Sequence, residues 1–327
     1  MTDMETSIRK KTVILTTGGT IAGVGNAGKT TGYTPGVLTA NELTSSLPRT
    51  VTDIEVCEIC SLNSDDIGAV IWLKLAKFIN KKAAEPDISG FVITHGTDTL
   101  EETAYFLDLT VKTEKPVVLT GSMRPSTAVS ADGDMNLYEA VCVSASPKAV
   151  GLGVLAVFAD RIFSARQVTK TNTYHTAAIG ARETGALGVV RDGEVYIYNK
   201  PTRRHSLLSE FDVSELEILP KVNIVYFSAD ADPEILEFAA KRSDGIVIAG
   251  AGAGEFDEGF KKVINRLDIP VVISSRTGEG IIVASNLLCK NTVAADDLPP
   301  QKAAVLLRLA LTKTKDMKEI ERFFSEY

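Results

Sequence analysis

Short runs of β-branched and apolar residues alternate along the chain with stretches whose apolar positions recur every three or four residues. That rhythm predicts stacked βα units around a largely parallel sheet. The strand-like runs are Thr12 to Thr17, Ile54 to Cys60, Phe91 to Thr94, Pro116 to Thr120 and Gly151 to Phe158. Between them, a short helix is expected near Ala40 to Leu47. A second helix, capped by Ser64, carries its apolar stripe on Ile67, Ile71, Leu75, Phe78 and Ile79. Thr99 with Glu102 reads as a capping box for a third helix, and a fourth is expected around Met135 to Ser144.

The rhythm breaks after Arg161, where Asp192-Gly193 between two apolar runs predicts a hairpin. The stretch from Asn199 to Pro220 is polar and proline-punctuated and reads as a linker. Strands at Val222 to Phe227, Gly245 to Ala249 and Pro270 to Ser274 then alternate with helices, and two helices follow Pro300. The expectation is an α/β protein with a larger N-terminal domain (1–198) holding a mixed, mostly parallel sheet. A linker (199–220) joins it to a smaller C-terminal parallel α/β domain (221–327). A length of 327 residues suits two domains.

Composition narrows the function by exclusion. Lys and Arg number 35 against 42 Asp and Glu, a net charge of −7 with no basic block, which argues against a nucleic-acid partner. The longest apolar run, Ala149 to Ala159, is too short for a membrane span. The polar start of the chain lacks a secretory apolar region, so a cytoplasmic location is expected. Cys57 and Cys60 form a C-x-x-C without a second pair and close a strand-like run, which favours a buried structural role over zinc or redox chemistry. Three histidines, His95, His175 and His205, have no metal spacing, which disfavours a zinc hydrolase.

Residues 23 to 30, Gly-Val-Gly-Asn-Ala-Gly-Lys-Thr, satisfy the text of both a phosphate loop and a dinucleotide loop. Each motif works only where the loop leaves a strand directly and opens a helix, whose free amides hold the phosphate. Here the strand ends near Thr17, and Thr31-Gly32-Tyr33-Thr34-Pro35-Gly36 cannot begin a helix. A glycine-rich flexible loop is the better expectation, with nucleotide binding a distant alternative.

Two other segments share a design in which a buried strand ends, the chain turns through glycine and a threonine is presented. They are Thr17-Gly18-Gly19-Thr20 and Thr94-His95-Gly96-Thr97-Asp98. Ligands of open α/β sheets bind at the carboxyl ends of strands, so Thr20 and Thr97 are expected in one crevice. Lone threonines after strands more often cap turns; two such segments weaken that reading.

Thr17 to Gly23 and Gly90 to Thr99 resemble the two signature segments of the bacterial-type L-asparaginase family. Further matches are Met123-Arg124-Pro125, Ser130-Ala131-Asp132-Gly133, Asn136-Leu137-Tyr138 and Val168 to Thr173. The resemblance implies hydrolysis of a small-molecule amide, without metal or cofactor, by a homotetramer of two-domain subunits. It implies Thr20 as nucleophile, helped by Tyr33, and Thr97, Asp98 and Lys170 as a second triad. Ser61 matches the position that holds the substrate α-carboxylate, and backbone amides near Gly19, Thr20, Gly96 and Thr97 would form an oxyanion hole.

The departures bear on the substrate. Leu62 stands where the secreted branch has glutamine, and Ala253 where that branch offers asparagine to a neighbouring site. Ala284 or Ser285 replaces a glutamate that holds the substrate ammonium, while Glu279 lies close enough in sequence to stand in for it. An ammonium left without partners in a desolvated site is costly. Two readings stay open: an L-asparaginase, or a related amidohydrolase whose substrate lacks a free α-ammonium, such as succinamate or an N-substituted asparagine.

Overall fold

The computed structural model describes residues 10–30, 32, 34, 36–37, 42, 44–45, 47, 51–287, 289 and 292–327. The chain divides into two compact units, Met1–Thr202 with Ser206–Ser209, and Arg203–His205 with Glu210–Tyr327.

The first unit is built on an eight-stranded sheet. Its parallel part holds β1 (Lys11–Gly18), β2 (Asp53–Leu62), β3 (Ile88–Thr94), β4 (Val117–Thr120) and β5 (Val154–Phe158). β6 (Arg161–Ser164), β9 (Gly188–Arg191) and β10 (Glu194–Ile197) extend it in antiparallel fashion, giving the order β10-β9-β6-β5-β4-β3-β1-β2. A separate ribbon pairs β7 (Val168–Lys170) with β8 (Ile179–Ala181). The sheet is mixed but mostly parallel, as its apolar rhythm predicts. Val13, Ile14 and Leu15 are fully buried on β1, as expected for a strand covered on both faces.

Among the described residues three helices cross between the parallel strands: α1 (Ala69–Lys82), α2 (Leu100–Thr110) and α3 (Gly133–Ala145). Trp72 of α1 stacks on Phe106 of α2 with ring centroids 5.3 Å apart. Leu137, Ala140 and Val141 of α3 join Val92, Val118 and Leu155 of the sheet in one apolar cluster. The buried face of α1 is Trp72, Leu73, Leu75, Ala76 and Ile79, while Ile71 and Phe78 are only half-buried, so the stripe lies further round the helix than expected.

Both expected caps are corrected. Ser64 opens a 3-10 turn, Ser64–Asp66, and α1 begins behind Gly68. Thr99 precedes α2 but its side chain does not cap it; its hydroxyl donates to the Ser64 carbonyl instead. The two groups hold one another across the sheet's carboxyl edge, which outcompetes local capping. Cys57 and Cys60 are free and half-buried, not fully buried, because β2 is an edge strand. The helix expected near Ala40 to Leu47 falls largely outside the described residues.

The second unit has an all-parallel sheet in the order β11 (Val222–Tyr226), β12 (Gly245–Gly250), β13 (Val271–Ser275) and β14 (Thr292–Ala294). Its helices are α4 (Pro233–Ala240), α5 (Glu258–Ile264), α6 (Pro300–Leu311) and α7 (Met317–Glu326). β14 went unread in the sequence because three residues are too few for periodicity. Among the described residues no helix is long and apolar enough to cross a membrane.

Candidate active site

Glycine geometry brings the two threonine segments together. β1 ends at Gly18 with φ +102°, and Gly19 follows at φ +81°, a region that β-carbon-bearing residues avoid. A Cβ on Gly19 would lie 2.4 Å from the Gly96 nitrogen, and one on Gly18 would lie 2.5 Å from the Leu62 oxygen. The bare backbones therefore pack directly, and Gly19 N–H donates to the Leu62 carbonyl at 3.1 Å. Thr20 opens the 3-10 turn Thr20–Ala22 and is only 8% exposed. The Thr17 hydroxyl donates to the Thr94 carbonyl at 2.8 Å, tying the end of β1 to that of β3.

Beyond β3, fully buried His95 is held on both ring nitrogens, Nδ1 at 2.7 Å from the Gly96 carbonyl and Nε2 at 2.9 Å from Thr103 Oγ1. Trp72 Nε1 donates to that same hydroxyl oxygen at 2.8 Å. Burial pushes the His95 pKa down to about 4. The neutral ring then carries its proton on Nδ1, facing the carbonyl, and accepts from Thr103 at Nε2. It is a structural tie beneath the turn, not a titrating group of the crevice.

Thr97 follows at 5% exposure. Lys170, at the end of β7, donates to Thr97 Oγ1 at 2.9 Å and to Asp98 Oδ1 at 2.6 Å. The Lys170 side chain is 17% exposed and that of Asp98 70%, so the ammonium is recessed while the carboxylate keeps a face open to solvent. Because the ammonium donates to Oγ1, the threonine proton is left to point elsewhere, and nearby positive charge favours the deprotonated hydroxyl.

Thr20, Thr97, Asp98 and Lys170 line one cavity of about 570 Å³, with Thr30 and Met123 also in its wall. This volume falls in the range typical of small-molecule sites, roughly 300 to 1,000 Å³. Among the described residues no group of three His, Cys, Asp or Glu is placed to hold a metal ion.

A family model described as "Asparaginase, N-terminal" matches residues 11–203, and one described as "Glutaminase/Asparaginase C-terminal domain" matches residues 221–324. The chain belongs to the asparaginase/glutaminase family. L-asparaginase 2 of Bacillus subtilis is 45% identical over 322 residues, covering 96% of this chain and 86% of that protein. L-asparaginase 2 of Escherichia coli is 42% identical over 330 residues, covering 96% and 92%. The crystal structure of a probable cytoplasmic L-asparaginase from Campylobacter jejuni superposes with a TM-score of 0.94 at 44% identity, covering 98% of this chain and 100% of that one.

Within this asparaginase fold, four of the residues singled out from sequence, Thr20, Thr97, Asp98 and Lys170, meet in the cavity. Gly19 and Gly96 adjoin it through the backbone contact above. Ser61 and Leu62 lie at the end of β2, outside that cavity wall. The Ser61 hydroxyl donates to the Gly36 carbonyl at 3.0 Å, and the Leu62 carbonyl is taken by Gly19. Glu279 belongs to the second unit and is exposed, and Tyr33 lies outside the described residues. Sequence reasoning missed Met123 and the loop Thr171 to Tyr174 as wall residues. Their signal was present, since Met123 and Thr171 to Thr173 lie within segments that carry the family resemblance, with Tyr174 directly after.

Proposed function

We propose that the protein is an L-asparaginase that hydrolyses L-asparagine to L-aspartate and ammonia through a threonine nucleophile. The observation that carries this reading is the convergence of Thr20 with the Thr97–Asp98–Lys170 cluster in one crevice of an asparaginase-family fold. Thr20 Oγ1 attacks the side-chain amide carbon while its proton passes to an acceptor, a role assigned to Tyr33. The C–N bond breaks, ammonia takes a proton as it leaves, and an acyl ester of Thr20 remains. Thr97, polarised by Lys170, orients the water that adds to this ester and releases aspartate and the free threonine. Backbone amides at the glycine turns stabilise the oxyanion of both steps. The open face of Asp98 is suited to the substrate ammonium, while Ser61 is assigned to its α-carboxylate.

The second reading, an amide lacking a free α-ammonium, is favoured by Leu62 and Ala253, which offer no polar side chain where the secreted branch has one. Ammonia release from L-asparagine, D-asparagine, L-glutamine and succinamate separates the two. L-asparagine is expected to lead, and a succinamate rate far above it would reject the asparaginase reading. Thr20→Ala and Thr97→Val are each expected to lower kcat by at least ~100-fold, since each removes a reacting or water-orienting group. We assign the chain to a cytoplasmic homotetramer. The Campylobacter jejuni structure, described as a probable cytoplasmic L-asparaginase, supports the location, and light scattering of the purified protein tests the assembly.

A further inference from the structure

Asp132 occupies the N-cap position of α3, where an aspartate ordinarily accepts hydrogen bonds from the first amides of its own helix. It makes no such cap. Its two oxygens instead accept from the Met123 and Arg124 amides, each at 2.9 Å. Asn136, one turn along α3 and almost wholly buried, donates to Asp132 Oδ2 at 3.2 Å and to the Gly121 carbonyl at 3.0 Å. The chain from Gly121 to Arg124 is thus held from the start of α3 as well as by its own turn, in which the Ser122 hydroxyl donates to the Arg124 carbonyl at 2.8 Å. The helix start also touches the nucleophile's turn, since a Cβ on Gly133 would meet Ile21 Cγ1 at 3.0 Å and Ser122 Cβ at 3.4 Å.

The segment held in this way carries the next contact. The Ser126 amide and hydroxyl donate to the Gly23 carbonyl at 3.2 and 2.9 Å. Gly25 N–H donates to Thr127 Oγ1 at 3.0 Å, and Gly28 N–H to the Thr127 carbonyl at 3.0 Å. Gly23, Gly25 and Gly28 are the glycines of the nucleotide-like motif, and the amides of the last two, which a phosphate would need, are occupied by Thr127. The loop they build leads to Thr30 and Gly32, which line the cavity with Met123.

We propose that Asp132 and Thr127 are positioning residues for the reaction. Asp132 fixes the Met123 to Thr127 segment, and Thr127 seats the glycine-rich loop upon it, so that one side-chain-held strut sets the Thr30, Gly32 and Met123 wall of the crevice. Neither residue touches the reacting atoms. The proposal rests on the asparaginase reading above.

Thr127→Val, Thr127→Ser, Asp132→Asn and the double variant Thr127→Val with Asp132→Asn test it. Thr127 is half-buried and the valine is nearly isosteric, so the fold survives the change. Thr127→Val is expected to lower kcat/KM for L-asparagine about fivefold, the size of one neutral hydrogen bond, carried by KM with kcat held within about twofold. Thr127→Ser restores the hydroxyl and stays near wild type. The double variant loses less than the product of the single effects, because both act through one segment. Hydrogen exchange across Gly23 to Gly28 needs no substrate and is expected to quicken in Asp132→Asn. Unchanged exchange there, a fall carried by kcat alone, or a lowered melting temperature with unchanged kcat/KM per folded molecule would each overturn the proposal. Wild-type protein that releases no ammonia from asparagine, but whose loop exchange responds to Asp132→Asn, would overturn the function while leaving the strut in place.

Discussion

Glu139 is a buried carboxyl on α3 whose Oε2 accepts from the Asp160 amide at 3.1 Å. One turn earlier, Asn136 Oδ1 accepts from the Ala159 amide at 3.0 Å. Together they hold two consecutive residues in the left-handed region, Ala159 at φ +47° and Asp160 at φ +68°, where β5 reverses into β6. Burial, and then the neighbouring Asp160 carboxylate, push the Glu139 pKa up to about 7, while Arg191, paired with Asp160 at 3.0 Å, acts against the shift. The native state therefore holds this proton more tightly than the unfolded chain does. Its contribution is full below the ordinary carboxyl range, around pH 4.5, and declines as pH rises towards 7. Glu139→Gln mimics the protonated group, so its melting temperature is expected to exceed that of wild type by an amount that grows between pH 4.5 and 7 and then levels off. Thermal scans at pH 5, 6, 7 and 8 read this directly, and a difference independent of pH would reject it. His95 slopes the other way. Its lowered pKa means that stability is lost as pH falls through the window from 6.5 to about 4.

Legibility at the scale of elements depends on whether a conformation is set by the residue itself or by a distant partner. The Asp192-Gly193 turn was legible because Gly193, at φ +80° beside Asp192 at φ +53°, can adopt the positive φ that a two-residue hairpin requires. The turn from β5 to β6 uses Ala159 and Asp160 in the same region and carries no such mark, since α3 side chains impose it. The same contrast divides the candidate site. Thr20 and Thr97 announced themselves through adjacent glycines, whereas Asp132 looks like an ordinary helix cap until its acceptors are traced to Met123 and Arg124. Gly18 and Gly19, where β1 ends and the Thr20 turn begins, also resist replacement. Gly19→Ala would set a Cβ 2.4 Å from the Gly96 nitrogen at a φ of +81°, and both neighbours are backbone that cannot swing aside. A loss of roughly 3 kcal/mol or more is expected, with activity abolished as the two threonine segments separate. Urea unfolding beside the ammonia assay checks both parts, and Gly151→Ala, at φ +75° outside the crevice wall and with nothing within 4 Å of the added carbon, is a control for the strain of positive φ alone.

Across the whole molecule the two units fold around separate cores, and in the second Tyr327 is a buried anchor. Tyr327 is 0% exposed, with its ring 5.0 Å from Phe211 and 6.2 Å from Phe323. Its hydroxyl oxygen accepts from the Glu210 amide at 2.9 Å and lies 3.3 Å from Glu210 Oε1. Glu210 is in turn paired with Arg322 at 2.9 Å, and the Arg204 guanidinium sits 5.2 Å above the Tyr327 ring. The ring packs against Phe211 and Phe323, and its hydroxyl orders the carboxylate to which α7 is pinned. Removing the ring leaves a cavity among Phe211 and Phe323 as well as an unpaired amide, so Tyr327→Ala is expected to cost about 3–5 kcal/mol. Tyr327→Phe keeps the packing and loses the hydrogen bonds, at about 1–2 kcal/mol. Two units need not unfold as one, so urea titration followed by amide exchange on both sheets is the suitable measurement. The loss is expected in β11 to β14 and not in β1 to β5, and equal loss of protection in both sheets would show that the second core does not stand alone.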